Sequence, residues 1–362
     1  MLQLIPTTCP GWTRPCRSLS RNLSCSVSLS SCIFLLQNCS GSMEAGNASQ
    51  FSEFFFVGLT NDPQLRPILF ALFFLIYAVT VVGNLGLFAF IVACSRLHTP
   101  MYFFLSNLSF LDFCYSSVTV PKMLMEFFYG CQTISFSGCV IQTACFVIFA
   151  VTEFFLLASM AYDRYVAICR PLLYHVIMSP RLCLQLVTAS YAVGLTNTVL
   201  LTSSTFHLIF CKSHVITHYF CDIPPLLKLS CSDTQVPQLL LFACGGFNVS
   251  VSLTVVLVSY TCVFMAIIRI PSAQGKHKTF STCTSHLTAV SLYYGTTVFI
   301  YLRPTSEYLL SRGRLVSVFY TVVIPMLNPM IYSLRNKDVR ETLENILKKT
   351  SQFFSHPIPR FP

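Results

Sequence analysis

Charge is what this chain has least of. Asp, Glu, Lys and Arg make up 10% of its 362 residues, where soluble domains carry about a quarter. That shortage excludes an ordinary water-facing globular domain. No stretch between the apolar runs is long enough to build a soluble domain of its own. The tight C-x₂₋₄-C pairs that structural zinc prefers are missing from the region where cysteines cluster. The internal repeat expected of many transporters is missing too. No nucleophile sits beside a base or a paired metal motif, so the chain reads as no enzyme. The formal charge is +10, but the basic residues are scattered over separate loops, which argues against nucleic acid.

What the chain has instead is apolar length. Hydrophobic residues make up 54%, and phenylalanine alone occurs 33 times. Seven runs stand out, at 68–94, 101–121, 139–162, 182–206, 238–270, 279–302 and 315–334. About 20 apolar residues span a bilayer as a helix, and in lipid such runs are helical because every backbone amide must be satisfied within its own segment. The expected fold is therefore an all-α membrane protein, a seven-transmembrane helix bundle over residues 68–335. Residues 43–67 precede it and 336–362 follow as a tail. From Met43 onward, thirteen Lys and Arg fall on one side of the membrane and seven on the other. By the positive-inside rule the C-terminus is cytoplasmic and the N-terminus extracellular.

Residues 1–42 have three arginines, no acid and five cysteines, and read as a dispensable or disordered extension, with Met43 an alternative start. Asn47-Ala48-Ser49 is a glycosylation sequon on the expected outer side. Cys211, Cys221 and Cys231 lie in the long outer loop and Cys139 opens the third run, so pairing is expected in that oxidising compartment. Cysteines inside the runs read as small hydrophobes. Beyond the last run, "NKDVRETLENILKK" puts Val339, Leu343, Ile346 and Leu347 on one helical face. That makes an amphipathic eighth helix lying on the lipids of the inner leaflet.

Ionisable groups inside a membrane are costly and mark sites. Asp112 and Glu153 fall midway along runs two and three, with the amides Asn84 and Asn328 in runs one and seven. Together they would form an oxygen-rich pocket for a sodium ion or a shared proton; no other cofactor is expected. An ion path through the two carboxylates is the competing reading, which would make the chain a channel or transporter. His286 and Cys283, with Glu153 across from them, are metal-ligand types, but three residues on two helices favour hydrogen-bonded packing, so no metal site is assigned. Pro325 and Pro329 should kink run seven, with Asn328 satisfying part of the freed backbone.

The segments "GN" at 83–84, "LHTPMYFFLSNLSFLD" at 97–112, "MAYDRYVAIC" at 160–169, "SY" at 259–260, "KTFSTCTSHL" at 278–287 and "PMLNPMIYSLRN" at 325–336 occur in order. Together they resemble the olfactory receptors, a family of rhodopsin-like G-protein-coupled receptors, over about residues 50–349. Departures are mild: Thr279 stands where the family commonly has Ala, Cys131 is an extra outer cysteine, and residues 1–42 have no counterpart. The resemblance implies a receptor at the plasma membrane that binds a small volatile odorant. It would activate a heterotrimeric G protein of the stimulatory, olfactory type and raise cyclic AMP. It assigns the ligand pocket to Val147, Ala150, Val151, Cys244, Asn248, Tyr294, Thr297 and Tyr301. The switch for the G protein would be Asp163, Arg164, Tyr165, Tyr260, Asn328, Pro329 and Tyr332, with Asp163 a local counter-charge for Arg164. It also implies a Cys139–Cys221 disulfide, which leaves Cys211 with Cys231 as the loop's second link.

Overall fold

Helices make up most of the chain that the computed structural model describes, residues 52–60, 62–130, 132–301, 314 and 316–334. Six long ones are α1 (Leu65–Ala93), α2 (Pro100–Tyr129), α3 (Phe136–Cys169), α4 (Pro180–Phe206), α5 (Gln235–Ile268) and α6 (Ala273–Tyr301). A π-helical turn, Phe319–Val323, leads into α7 (Ile324–Leu334). Of these, α1, α3, α4 and α5 are long and apolar enough to cross a bilayer by length and composition. Ile68, Leu75 and Val82 are each more than 60% exposed on one face of α1. In water that stripe would be a liability; against lipid chains it is solvated.

The middle of the bundle belongs to α3. Two-thirds of its apolar window (67%) is buried, against 17% for α1, and it touches α2, α4, α5 and α6. Local chemistry sets the helix starts. The Ser135 hydroxyl caps α3 by accepting from the Gly138 amide at 3.1 Å, and Ser179 accepts from Leu182 ahead of α4. Pro100 and Pro180 open α2 and α4, where a missing N–H costs nothing.

Among the boundaries that differ from the apolar runs, two bear on the site. Helix α2 continues past Pro121 to Tyr129, because the loss of one backbone bond does not end a helix held by its neighbours. Helix α3 continues past Tyr162 through Asp163, Arg164 and Tyr165 to Cys169, so charge ends the apolar run there but not the helix. Asn47, residues 1–42 and the amphipathic helix expected at 336–349 lie outside the described residues.

One end of the bundle carries a small sheet that an all-helical expectation misses. Strands β1 (Glu53–Phe56), β2 (Gln132–Ser135) and β3 (Val215–Ile216) order as β2-β1-β3. The N-terminal strand is central, antiparallel to β2 and parallel to β3. Phe54 is fully buried beneath it, its ring 5.7 Å from Phe210 and 6.1 Å from Phe136. Disulfides Cys139–Cys221 and Cys211–Cys231 lie at this same end.

The strand is anchored at the turn that follows it. Gly58 has φ +73°, and a Cβ there would land on the Glu126 carboxylate. The Leu59 amide hydrogen-bonds to Glu126, and Arg314 donates to the Gly58 carbonyl at 2.9 Å. Gly58→Ala should therefore cost about 1–2 kcal/mol for the left-handed backbone, and more for displacing the carboxylate. The expected result is a lower melting temperature in detergent and less receptor at the cell surface. An unchanged melting temperature would show that this strand is not part of the folded unit.

Candidate functional site

Between α3, α4, α5 and α6, towards the disulfide end, lies a cavity of about 80 Å³ with a largely apolar wall. Helix α3 contributes Val147, Ala150 and Val151, spaced so that they share a face. Asn248 of α5 and Thr297 of α6 are on the wall as well. Cys244 and Tyr294, assigned to the pocket from the sequence, do not line it. The α6 face that does is Tyr293 and Thr297, four residues apart. Tyr294 sits about 100° further round, with its hydroxyl donating to the Phe154 carbonyl at 3.3 Å. Tyr301 ends α6, and its side chain lies outside the described residues. Asn197 of α4 and Tyr293 were not assigned from the sequence; a polar residue in an apolar run was the available signal for Asn197.

A loop roofs the cavity, and its placement follows from a chain of hydrogen bonds. The Gln142 amide nitrogen donates to the Val118 carbonyl at 2.9 Å, which leaves its oxygen to accept from the Cys221 amide at 2.9 Å. Thr143 donates to the Cys221 carbonyl at 3.1 Å. The Cys139–Cys221 disulfide thus sits in a backbone clamp supplied by α3. Further along the roof, the Tyr219 and Thr321 hydroxyls are 2.8 Å apart, and His218 Nε2 is 3.1 Å from the Ser317 hydroxyl.

His218 is buried with no partner on Nδ1. Burial first, then the nearby Arg314 charge, lowers its pKa to about 3. Above about pH 6.5 the ring is neutral in both folded and unfolded chains, so nothing is lost. As pH falls from there towards 3, the unfolded chain takes up a proton that the folded roof refuses, and stability falls. His218→Gln should flatten that acid limb when melting temperature is followed against pH; an identical limb in the variant would remove His218 from the account.

Below the cavity the polar groups meet. Asn328 Nδ2 donates to Asp112 Oδ2 at 2.8 Å. Asn84 Nδ2 donates to the Pro325 carbonyl at 2.8 Å and to Thr80 O at 3.0 Å. The Pro325 carbonyl is the one that Pro329, lacking an N–H four residues on, leaves without its helical donor. The freed backbone is satisfied by Asn84 of α1, not by Asn328 as expected from the sequence, because Asn328 is taken by Asp112. Gly83 permits the approach: a Cβ there would stand 3.1 Å from the Pro329 ring. Both Glu153 oxygens, Asp112 Oδ1, Asn84 Oδ1 and Asn328 Oδ1 are buried without partners. The Tyr293 hydroxyl donates to Ala150 O at 2.7 Å and also lies close enough to the Glu153 carboxylate to act on it.

At the opposite end from the disulfides, a histidine joins three helices. His286 Nε2 is 3.1 Å from the Leu157 carbonyl, and Nδ1 is 2.7 Å from the Tyr260 hydroxyl. A carbonyl can only accept, so Nε2 carries the proton, Nδ1 accepts, and Tyr260 donates. Among the described residues no group of three or more His, Cys, Asp or Glu is placed to hold a metal. Asp163 is buried and accepts from the Tyr174 hydroxyl at 2.8 Å. Its carboxylate is thus engaged by the segment after α3, which the counter-charge reading did not include. Arg164 and Tyr165 are half-buried, while Tyr332 is buried with an unpartnered hydroxyl. The Arg164 charge acts on Tyr260, His286 and Tyr332, one each from α5, α6 and α7.

Comparison with known proteins agrees with this arrangement. A sequence model described as "Olfactory receptor" matches residues 73–350. The chain is 54% identical to olfactory receptor 5AP2 of Mus musculus over 301 residues, 83% of this chain and 95% of that protein. It is 53% identical to olfactory receptor 5AR1 of Mus musculus over 310 residues, 86% of this chain and all of the relative. It is 52% identical to olfactory receptor 8U8 of Homo sapiens over 308 residues, 85% and 97% of the two chains. A family match over most of the chain, on a helical bundle that holds an apolar cavity, leaves one conclusion. The chain belongs to the olfactory receptor family: multi-pass plasma-membrane receptors, not enzymes, that sense odorants through G-protein-coupled signalling.

Proposed function

We propose that this receptor takes a small volatile molecule into the cavity beneath the Cys139–Cys221 roof and activates a G protein of the stimulatory, olfactory type, raising cyclic AMP. The observation that carries the reading is the cavity itself: mostly apolar and about 80 Å³, it suits a small ligand with few polar groups. Its wall includes Tyr293, whose helix also bears His286, so occupancy and the opposite end share one rigid element. The disulfide end faces the extracellular side, where an oxidising compartment supports two disulfides, and the C-terminus is cytoplasmic. Residues 1–42 are dispensable, and Asn47 carries glycan.

The buried oxygens of Asp112, Glu153, Asn84 and Asn328 fit a hard cation. Two carboxylates buried together need an added positive charge, and five unpartnered acceptor atoms suit a sodium ion or a shared proton. Asn84 of α1, Asp112 of α2, Glu153 of α3 and Asn328 of α7 would hold that charge, and it would offset the repulsion of the two carboxylates.

The test is a screen of volatile compounds on cells carrying the full chain and a cyclic-AMP reporter, repeated in cells lacking the stimulatory G protein. A dose-dependent signal that disappears in the second line is the expected result. A signal that persists there overturns the choice of G protein, and ion currents without any G protein would favour a channel.

A further inference from the structure

The polar groups on the cavity wall are mostly committed to the protein. Thr297 donates to Tyr293 O at 2.8 Å, Tyr293 donates to Ala150 O, and Asp222 accepts from the Ile223 amide at 2.9 Å. Two asparagines break the pattern. Asn197 Nδ2 donates to the Val193 carbonyl at 2.9 Å. A backbone carbonyl only accepts, so it fixes which way the Asn197 amide faces. The Asn197 oxygen is then left to accept, and it does so from Asn248 Nδ2 at 2.9 Å. That in turn leaves Asn248 Oδ1 buried on a residue only 2% exposed, with no partner. One backbone carbonyl thus determines, through two side chains, that the unmet atom of this asparagine pair is an acceptor. A buried acceptor without a donor costs about 1–3 kcal/mol, which a ligand supplying a donor would recover.

We infer that this receptor selects hydroxyl-bearing ligands, small alcohols and phenols, over molecules of the same shape that carry only acceptors, and that Asn248 Oδ1 takes the hydroxyl proton. The inference rests on the cavity being the odorant site. The acceptor is a neutral amide, so it suits a neutral donor; an ammonium group would be desolvated without a counter-charge from it. An aldehyde, ketone or ether would set oxygen against oxygen. The volume limits size as well. A cavity of about 80 Å³ admits only a small molecule.

The experiment is a matched set on the full chain in reporter cells: 1-hexanol, hexanal and methyl pentyl ether, with phenol against fluorobenzene as the aromatic pair, all of seven non-hydrogen atoms. The alcohol or phenol should be more potent than its partners by on the order of tenfold, the worth of one hydrogen bond. The informative variant is the double substitution Asn197→Leu with Asn248→Leu. Changing Asn248 alone would free the Asn197 oxygen as a replacement acceptor. Replacing both amides by apolar side chains of like shape leaves no orphan, and the preference should shrink to within about threefold at matched surface staining.

Equal or higher potency of the aldehyde or ether on the unmodified receptor overturns the inference without any variant. So does a preference that survives the double substitution. Silence to every alcohol and phenol at verified surface expression overturns it too, whereas the cyclic-AMP receptor reading falls only if the wider volatile screen is silent as well.

Discussion

Asn84→Ala should destabilise the receptor by about 1–3 kcal/mol, and Pro329→Ala in the same chain should restore much of the loss. The expectation comes from one carbonyl. Pro329 cannot donate to Pro325 O, and Asn84 Nδ2 does so from α1 at 2.8 Å. Asn84 is fully buried, so no water replaces it, and an unsatisfied backbone carbonyl in a dry interior carries a penalty of about that size. Alanine at 329 supplies the missing N–H from within α7, and the carbonyl no longer needs α1. Pro329→Ala alone should be nearly neutral for stability, since it adds a donor to a carbonyl already served. The signature is therefore a non-additive cycle, read as melting temperature of the detergent-solubilised receptor with surface staining in parallel. Asn84→Asp should be no better than alanine, because a carboxylate oxygen towards a carbonyl repels. A double variant as unstable as Asn84→Ala alone would show that Asn84 acts through something other than this carbonyl.

The sequence carried the membrane architecture, since seven apolar runs can be satisfied in lipid only as helices. It also carried the identity of the polar residues at the centre, because ionisable and amide groups in such runs are rare enough to stand out. Their pairing was not legible. Asn84 and Asn328 were both visible as amides in apolar runs, and only Asn328 stands beside a proline, yet which amide meets the freed carbonyl depends on where Asp112 lies, 216 positions from Asn328 in the chain. The α6 face shows a second limit. A helical repeat fixes which residues share a face, not where that face points, and Tyr293 and Tyr294 are both buried. The choice between them is made by the Phe154 carbonyl taking one phenol and the Ala150 carbonyl the other. The sheet was illegible for a plainer reason. β3 is two residues long and "EFFF" lacks alternation, so only the meeting of three distant segments makes strands of them. Asp163 and Arg164 were read together because they are adjacent, yet neighbours on a helix point about 100° apart.

That divergence is what makes Arg164→Ala the most telling substitution at the end opposite the disulfides. The variant should reach the cell surface in near-normal amounts and lose its odorant-driven cyclic-AMP response by tenfold or more. Stability should survive for two reasons. Asp163 keeps its partner, because its carboxylate accepts from Tyr174 at 2.8 Å. The tie between α3, α5 and α6 is also made without the guanidinium, through Leu157 O, His286 and Tyr260. Arg164 is half-buried, so its loss opens no large void in the core. What disappears is a fixed positive charge that acts on Tyr260, His286 and Tyr332 together, the group to which the proposed coupling to a G protein is assigned. Arg164→Lys keeps the charge but not the planar fork, so partial recovery would assign the role to charge and none would assign it to geometry. His286→Phe is the contrasting variant: it breaks the tie while leaving Arg164 in place, so signalling without odorant should rise. Dose–response curves at matched surface staining decide the matter. Near-normal efficacy in Arg164→Ala would remove the arginine from the switch and leave the histidine tie as the element that holds the bundle shut.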